Sequence, residues 1–293
     1  MPIPQKLVIP VFLLFLFAGA MVLGPLLYGA LQGVFPIPFH RAMNRAIMVS
    51  AVIGLILFWS RISLRSLWPW TSQAWKDVAL GYFMAFVSAQ AMLGLVLFAD
   101  GFTAEELTSA QIGKKVGAAL LAALLVPVAE ETIFRGFLQG ELTKSFGWRA
   151  GWIATAVIFM LSHFIKISST IDSQPVYWWS GATALGAAFQ PILQGEFLSL
   201  KGLNLLLLGL LLGGIFLRTG TLWLCAALHS GWILVNLLFT DLTKPAENRT
   251  FMSNSGDILS HPVTSLVFIM LGFWLWRYYR NPSIVPENGA ESR

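Results

Sequence analysis

The sequence predicts an all-α fold, a multi-pass transmembrane helical bundle of about eight spanning helices, and three observations carry that reading. Hydrophobic residues fill 56% of the 293 positions and charged residues only 11%, where a water-soluble domain carries about a quarter. Apolar runs recur along the chain near the length of roughly 20 residues that a helix needs to cross a bilayer. Twelve Trp and 22 Phe supply the aromatic excess that anchors helices at membrane interfaces. The chain is therefore read as an integral, multi-pass membrane protein, of the cell (inner) membrane if prokaryotic, with the lipid bilayer as its first partner. A formal charge of +5 does not indicate nucleic acid, because the 19 Lys and Arg are scattered singly or in pairs between apolar runs.

The first segment, about 7–31, begins after Lys6 and passes Ala18-Gly19-Ala20. That opening resembles a secretory signal with a cleavage site. Its apolar run outlasts the roughly 7–15 residues of a signal-peptide core, so it is read as a retained span. Further spans follow at about 43–60, 77–99, 116–138, 150–168, 203–217, 219–239 and 262–279. Arg218 and Thr219-Gly220 alone separate the sixth from the seventh, which predicts a tight hairpin. The link 169–202 contains Tyr177, Trp178 and Trp179 and a small-residue run from Gly181 to Ala184. It reads as an interfacial helix or a re-entrant flap. Residues 1–280 form one transmembrane domain on this reading, and 281–293 form a polar, Pro-containing tail of disordered composition.

An even number of spans puts both termini on one side. If that side is cytoplasmic, inner loops and termini carry ten Lys and Arg and outer loops eight, the nineteenth being Arg135 within a span. That is a slight positive-inside bias. The single cysteine, Cys225, excludes an internal disulfide and reads as a small apolar packing residue, although it lies one helical turn before His229.

Charge within a span costs from about 2.5 kcal/mol upward, which makes such residues functional candidates. Three clusters bear that cost: Glu130, Glu131 and Arg135 in the fourth segment, His163 in the fifth, and His229 in the seventh. Glu131 and Arg135 are four apart and can pair on one helix face. Glu130, about 100° away, is left without a local partner. Phe159 shares a face with His163. From the predicted inner ends near Leu138, Ala150 and Thr219, the three clusters lie roughly 12, 20 and 15 Å deep, compatible with one layer.

A carboxylate with two imidazoles suits activation of water, Glu serving as base and His orienting water or stabilising an oxyanion. The same groups, Glu130, His163 and His229, also number enough for a catalytic Zn²⁺ site with an open position. They lack, however, a His-Glu-x-x-His pair that would preassemble zinc on one helix. Ion relays of proton-coupled transporters and channels use the same residue types, but they predict inverted repeats, and no repeat is evident.

Glu130-Glu131-x-x-x-Arg135, then Phe159-x-x-x-His163, then His229 resembles the CAAX prenyl endopeptidase and bacteriocin-processing family of intramembrane proteases. The runs Glu131-Thr132-Ile133-Phe134-Arg135-Gly136 and Arg218-Thr219-Gly220-Thr221-Leu222-Trp223 resemble it too, so the likeness covers about 116–239. The resemblance implies an endopeptidase whose partner is a membrane-associated peptide, of CAAX or leader type. It implies that Glu130 activates water with His163, that His229 serves the oxyanion or a metal, and that Glu131 with Arg135 organises the first motif. Two chemistries are open by this resemblance, a metalloprotease or a glutamate-activated water, hence zinc or no cofactor. The chain departs from the family pattern at Ile233, where Asn or Asp is usual four residues after the last His. Asn236 lies nearly a turn further on and is the candidate substitute. The departure also leaves a catalytically silent membrane scaffold as an alternative.

Overall fold

Apolar segments of this length form helices because a bilayer core offers backbone N–H and C=O groups no partner outside their own helix. The computed structural model describes residues 4–35, 37–58, 63–100, 102–245 and 258–278, and it is an α-helical bundle. Its helices are α1 (Val8–Leu31), α2 (Phe39–Leu57), α3 (Leu64–Leu67), α4 (Ser72–Asp100), α5 (Ser109–Glu131), α6 (Gly140–Phe146), α7 (Trp148–Ser162), α8 (Ser180–Ala188), α9 (Gln190–Leu193), α10 (Leu200–Thr219), α11 (Trp223–Leu242) and α12 (Pro262–Tyr278). A π-helical segment, Thr132–Gln139, joins α5 to α6. The tail 281–293 lies outside the described residues.

Each of the eight expected segments contains a helix, but their lengths differ from expectation. Among the described residues six helices are long and apolar enough to cross a membrane, while Trp148–Ser162 and Pro262–Arg277 are apolar but shorter. The fifth segment, expected over 150–168, ends as a helix at Ser162. At about 1.5 Å per residue its fifteen residues reach only some 22 Å. The fourth continues through the π segment and α6 to Phe146 rather than stopping at 138. Leu14, Phe83, Leu124 and Met270 are among the large apolar side chains left exposed. On spanning helices these face lipid, which makes the chain an integral membrane protein.

Helix α11 sits at the centre, packed against α4 on one side and α5 on another. Small residues four apart on both helices allow the first approach: Gly81 and Ala85 of α4 meet Ala227 and Gly231 of α11. Two side-chain hydrogen bonds tie the same pair, Tyr82–Ser230 at 2.9 Å and Trp232 to Ser88 at 2.8 Å. Helix α10 packs between α7 and α12, and α1 pairs with α2. Gly220, at φ +71°, closes the α10–α11 hairpin in a left-handed conformation that a side chain would strain.

The link after α7 resolves into a packed helix. Ala184 and Ala188 of α8 are buried with Phe39 and Met43 of α2. The nine residues of α8 span only about 13 Å and do not cross a bilayer. Trp178, 82% exposed, precedes it as an interfacial aromatic. Asp172 accepts from the backbone N–H of His40 at 2.9 Å, fastening the link to the start of α2. One feature was not legible beforehand: β1 (Phe102–Ala104) pairs antiparallel with β2 (Thr243–Pro245). The strands clamp the ends of α4 and α11, where Phe102 packs edge-to-face against Phe239 at 4.7 Å.

Gln5 and Trp276, near the two limits of the described residues, lie at the end of the bundle that holds the α6–α7 turn. Gln5 donates to Glu141 at 2.9 Å, and Trp276 lines a cavity with Trp148. With the slight Lys/Arg bias, this predicts that both ends are cytoplasmic. Single cysteines introduced near Lys6 and Arg280 in a Cys225→Ala background should label from the same face of sealed vesicles. Labelling from opposite faces would refute the arrangement.

Candidate active site

Helix α5 starts from a capping box in which Thr108 and Gln111 satisfy each other's backbone N–H groups. Buried Pro127 near its end lacks an N–H and so loosens the ladder before the carboxylates. After Glu131 the backbone passes into eight π-helical residues, a form that recurs at functional sites. Arg135 and Gln139 of that segment donate to the carbonyls of Gly209 and Gly213 on α10, at 3.4 and 3.1 Å. Both pairs are four apart, so the polar side chains and the glycines climb in step. The glycines are required by contact on α10: a Cβ on Gly209 would meet the Ala156 backbone at 3.0 Å, and one on Gly213 would meet Trp152 at 2.8 Å. Gly209→Val is expected to separate α7 from α10 and lower stability by about 1–3 kcal/mol, as overpacking does. Thermal unfolding in detergent measures it, and an unchanged midpoint would contradict the packing.

Glu131 and Arg135 are fully buried and pair at 3.1 Å. The pairing expected from their spacing is present, and the structure adds a partner from another helix. His229 Nδ1 lies 2.8 Å from Glu131 Oε1. A carboxylate accepts, so this nitrogen carries the proton and Nε2 is turned towards Glu130. The His229 Nε2 to Glu130 Oε2 distance is 3.9 Å, too long for a direct hydrogen bond and short enough for one water to touch both. Glu130 keeps about 28% of its side-chain surface exposed, against 0% for Glu131. The two neighbouring carboxylates thus occupy different environments.

His163 follows the last helical residue of α7. Its Nδ1 donates to the Phe159 carbonyl at 2.8 Å, which leaves Nε2 outward on this imidazole as well. The ring is exposed and stands in the electrostatic field of Glu130 and His229. Phe159, fully buried, is the hub between these groups. Its ring lies 4.6 Å from His163, 6.0 Å from His229 and 4.5 Å from the Arg135 guanidinium. That last contact is a cation–π interaction in a desolvated setting.

The inner ends used for depth in the sequence reading shift. Glu130 lies sixteen residues before Phe146 and His163 fifteen after Trp148, so both stand roughly 22–24 Å from the turn between α6 and α7. His229 lies only about 9 Å into α11, because that helix begins deeper, where Leu222 donates to the Leu67 carbonyl. Asn236 stands apart from this group. It is two turns beyond His229, about 10 Å along α11, and no hydrogen bond joins it to the group among the described residues. Its Oδ1 is buried without a protein partner, as are Glu130 Oε2, Glu131 Oε2 and Arg135 Nε.

Zinc ligands converge to about 2.0–2.2 Å from one point. Among the described residues no three His, Cys, Asp or Glu side chains are grouped that way. Glu130, His163 and His229 as arranged do not form such a cage. Cys225 is buried and donates to the Leu212 carbonyl at 3.3 Å, a packing position. Spacing along one helix had given the Glu131–Arg135 pair; the His229–Glu131 bond and the glycine carbonyls of α10 join different helices and carry no sequence signal of their own.

No curated protein matches the chain. The family model described as type II CAAX prenyl endopeptidase Rce1-like matches residues 113–235. That stretch runs from α5 into α11 and holds Glu130, Glu131, Arg135, Phe159, His163 and His229, with Asn236 one residue beyond. Over residues 113–235, the chain is similar to the Rce1-like family of type II CAAX prenyl endopeptidases.

Proposed function

We propose that this protein is an intramembrane endopeptidase that hydrolyses peptide bonds of membrane-associated peptides, of CAAX or leader type, by water activated at Glu130. One observation carries the reading beyond the family likeness: a half-open carboxylate, Glu130, faces the Nε2 edge of a histidine whose other nitrogen is fixed by a buried carboxylate.

In the proposed step, water lies between Glu130 and His163 Nε2. Glu130 takes a proton as the oxygen attacks the scissile carbonyl carbon. The carbonyl oxygen becomes an oxyanion and accepts from His229. Because Nδ1 of that ring already donates to Glu131, Nε2 donates to the oxyanion in the form in which the ring carries both protons. Glu130 then returns its proton to the departing amine as the C–N bond breaks. Arg135 neutralises Glu131, and Phe159 holds the two imidazoles and the guanidinium in register. The buried oxygens without protein partners mark a polar interior that water can satisfy.

The function is tested by incubating purified protein with a library of membrane peptides and reading products by mass spectrometry. Discrete cleavage near a modified C-terminal cysteine or a leader junction is expected; absence of any product across the library would reject the protease reading. Metal is tested separately. Activity should persist after exhaustive chelation to metal-free protein. Activity that disappears with stoichiometric metal loss and returns with Zn²⁺ would overturn glutamate-based activation.

A further inference from the structure

Asn236 is a polar group inside a spanning helix that the bundle leaves unbonded. Its Oδ1 is buried without a protein partner, and its amide makes no hydrogen bond among the described residues. A buried amide lowers stability unless something bonds it, the more so where lipid is the only solvent. Packing of the helices gives no reason for an asparagine at this position.

Two contacts with α5 fix its level. His229 meets Glu131 at 2.8 Å, and the Asp241 carbonyl accepts from Lys115 at 2.7 Å, so α5 and α11 run antiparallel. Asn236 therefore lies beyond the carboxylates, about 10 Å further from the α6–α7 turn. Helix α7 does not reach that level. It ends at Ser162, and His163 just after it stands level with Glu130. At His229 the face of α11 is covered by Phe159 of α7, 6.0 Å away. Two turns on, that cover has ended. Burial records the change: Leu224 to Trp232 are all buried, and Ile233 to Leu238 are all half-buried. Seven residues make almost two full turns, so Asn236 shares a face with His229, with Ile233 between them.

We infer that Asn236 binds the main chain of the peptide substrate about three residues from the scissile bond. This rests on the proposed peptidase reading, since the bond in question is the one attacked at Glu130. An extended peptide advances about 3.3 Å per residue. One whose scissile carbonyl meets His229 and that runs along α11 brings its third residue to Asn236. There the amide matches a peptide group in both senses, Oδ1 accepting from an N–H and Nδ2 donating to a C=O. Such bonds hold the peptide extended whatever its side chains are, and Ile233 gives the residues between an apolar surface. A separation of about 10 Å from His229 keeps Asn236 out of the oxyanion. It serves binding rather than the chemical step.

The test uses the full chain in detergent and the best-cleaved peptide of the membrane-peptide library, remade as a series with one backbone amide at a time N-methylated. Turnover is read on native protein and Asn236→Leu, and peptide affinity on each in a Glu130→Gln background, where hydrolysis is slow. Asn236→Leu should raise KM and Kd about five- to tenfold, the loss of one or two hydrogen bonds, with kcat nearly unchanged. N-methylation at the third residue on one side of the bond should weaken native protein by a similar factor and Asn236→Leu no further, as for two partners of one contact. The unfolding midpoint of Asn236→Leu should hold or rise, because an unbonded amide has been removed from the interior. A fallen midpoint would make Asn236 a structural residue and overturn the inference. Unchanged KM and affinity, or losses from variant and N-methyl group that simply add, would overturn it while cleavage by native protein left the peptidase reading standing. If no library peptide is cleaved, the peptidase reading fails by itself, and the N-methyl series is built on the peptide that Glu130→Gln binds most tightly. Coupling of that series to Asn236 would support main-chain binding there, and no binding of any peptide would overturn it too.

Discussion

Glu130→Gln is expected to lower peptide turnover by a factor of about 10²–10⁴, the usual contribution of a general base, while leaving the unfolding midpoint unchanged. Glutamine keeps the shape and the hydrogen-bonding capacity of the side chain and removes only its ability to take a proton. The local structure has little dependence on the charge. Glu130 makes no hydrogen bond through its buried Oε2, lies 3.9 Å from His229, and keeps part of its surface open. A glutamine there strands no cation, since Arg135 is paired with Glu131. The measurement is product formation from a cleaved library peptide, native and variant side by side, with thermal unfolding of each as the control for folding. Full activity in Glu130→Gln would remove the proposed base and with it the mechanism. Lost activity together with a collapsed unfolding midpoint would show instead that Glu130 is a structural residue.

What could be read from the sequence followed from local geometry. The Glu131–Arg135 pair was legible because i and i+4 on one helix face are neighbours wherever the helix packs. The α10–α11 hairpin was legible from Gly220. The eight apolar segments were legible from length and composition, but their ends were not. Apolar composition fades gradually, whereas a helix stops where a turn or a cap stops it. The fifth segment shows the difference: hydropathy runs on past His163, yet the helix ends at Ser162 and the chain turns away. The fourth runs on to Phe146, and Glu141, polar in sequence, is buried at that end, where it accepts from Gln5 and Lys144. Cross-helix contacts were beyond reach. No spacing rule connects His229 with Glu131, 98 positions away, or sets Arg135 and Gln139 on the carbonyls of two glycines. Phe159 was placed beside His163 by its spacing, but its contacts with Arg135 and His229 required three helices to be in position.

Glu131→Gln is expected to have the larger structural effect, a loss of about 3–5 kcal/mol, together with loss of turnover. Removing one member of a buried ion pair leaves the other charge uncompensated in a poor solvent for it, and that stranded charge is the main cost. Here the stranded group is Arg135, with no exposed surface. Its remaining contacts include a 3.4 Å bond to the Gly209 carbonyl and the rings of Phe159 at 4.5 Å and Phe134 at 5.9 Å, which hold a cation less well than a carboxylate does. The same substitution weakens the acceptor of the His229 Nδ1 proton and so loosens the ring that is proposed to meet the oxyanion. Stability and turnover should therefore fall together, whereas Glu130→Gln separates them. The double variant Glu131→Gln with Arg135→Met distinguishes the two causes. Removing both charges takes away the stranded cation, so the unfolding midpoint should recover most of the loss, as replacement of whole buried ion pairs by apolar groups often does. Turnover should stay low, because the double variant still lacks the anion that fixes His229. If turnover recovered along with stability, Glu131 would act only by neutralising Arg135, and the hydrogen bond from His229 would have no part in catalysis.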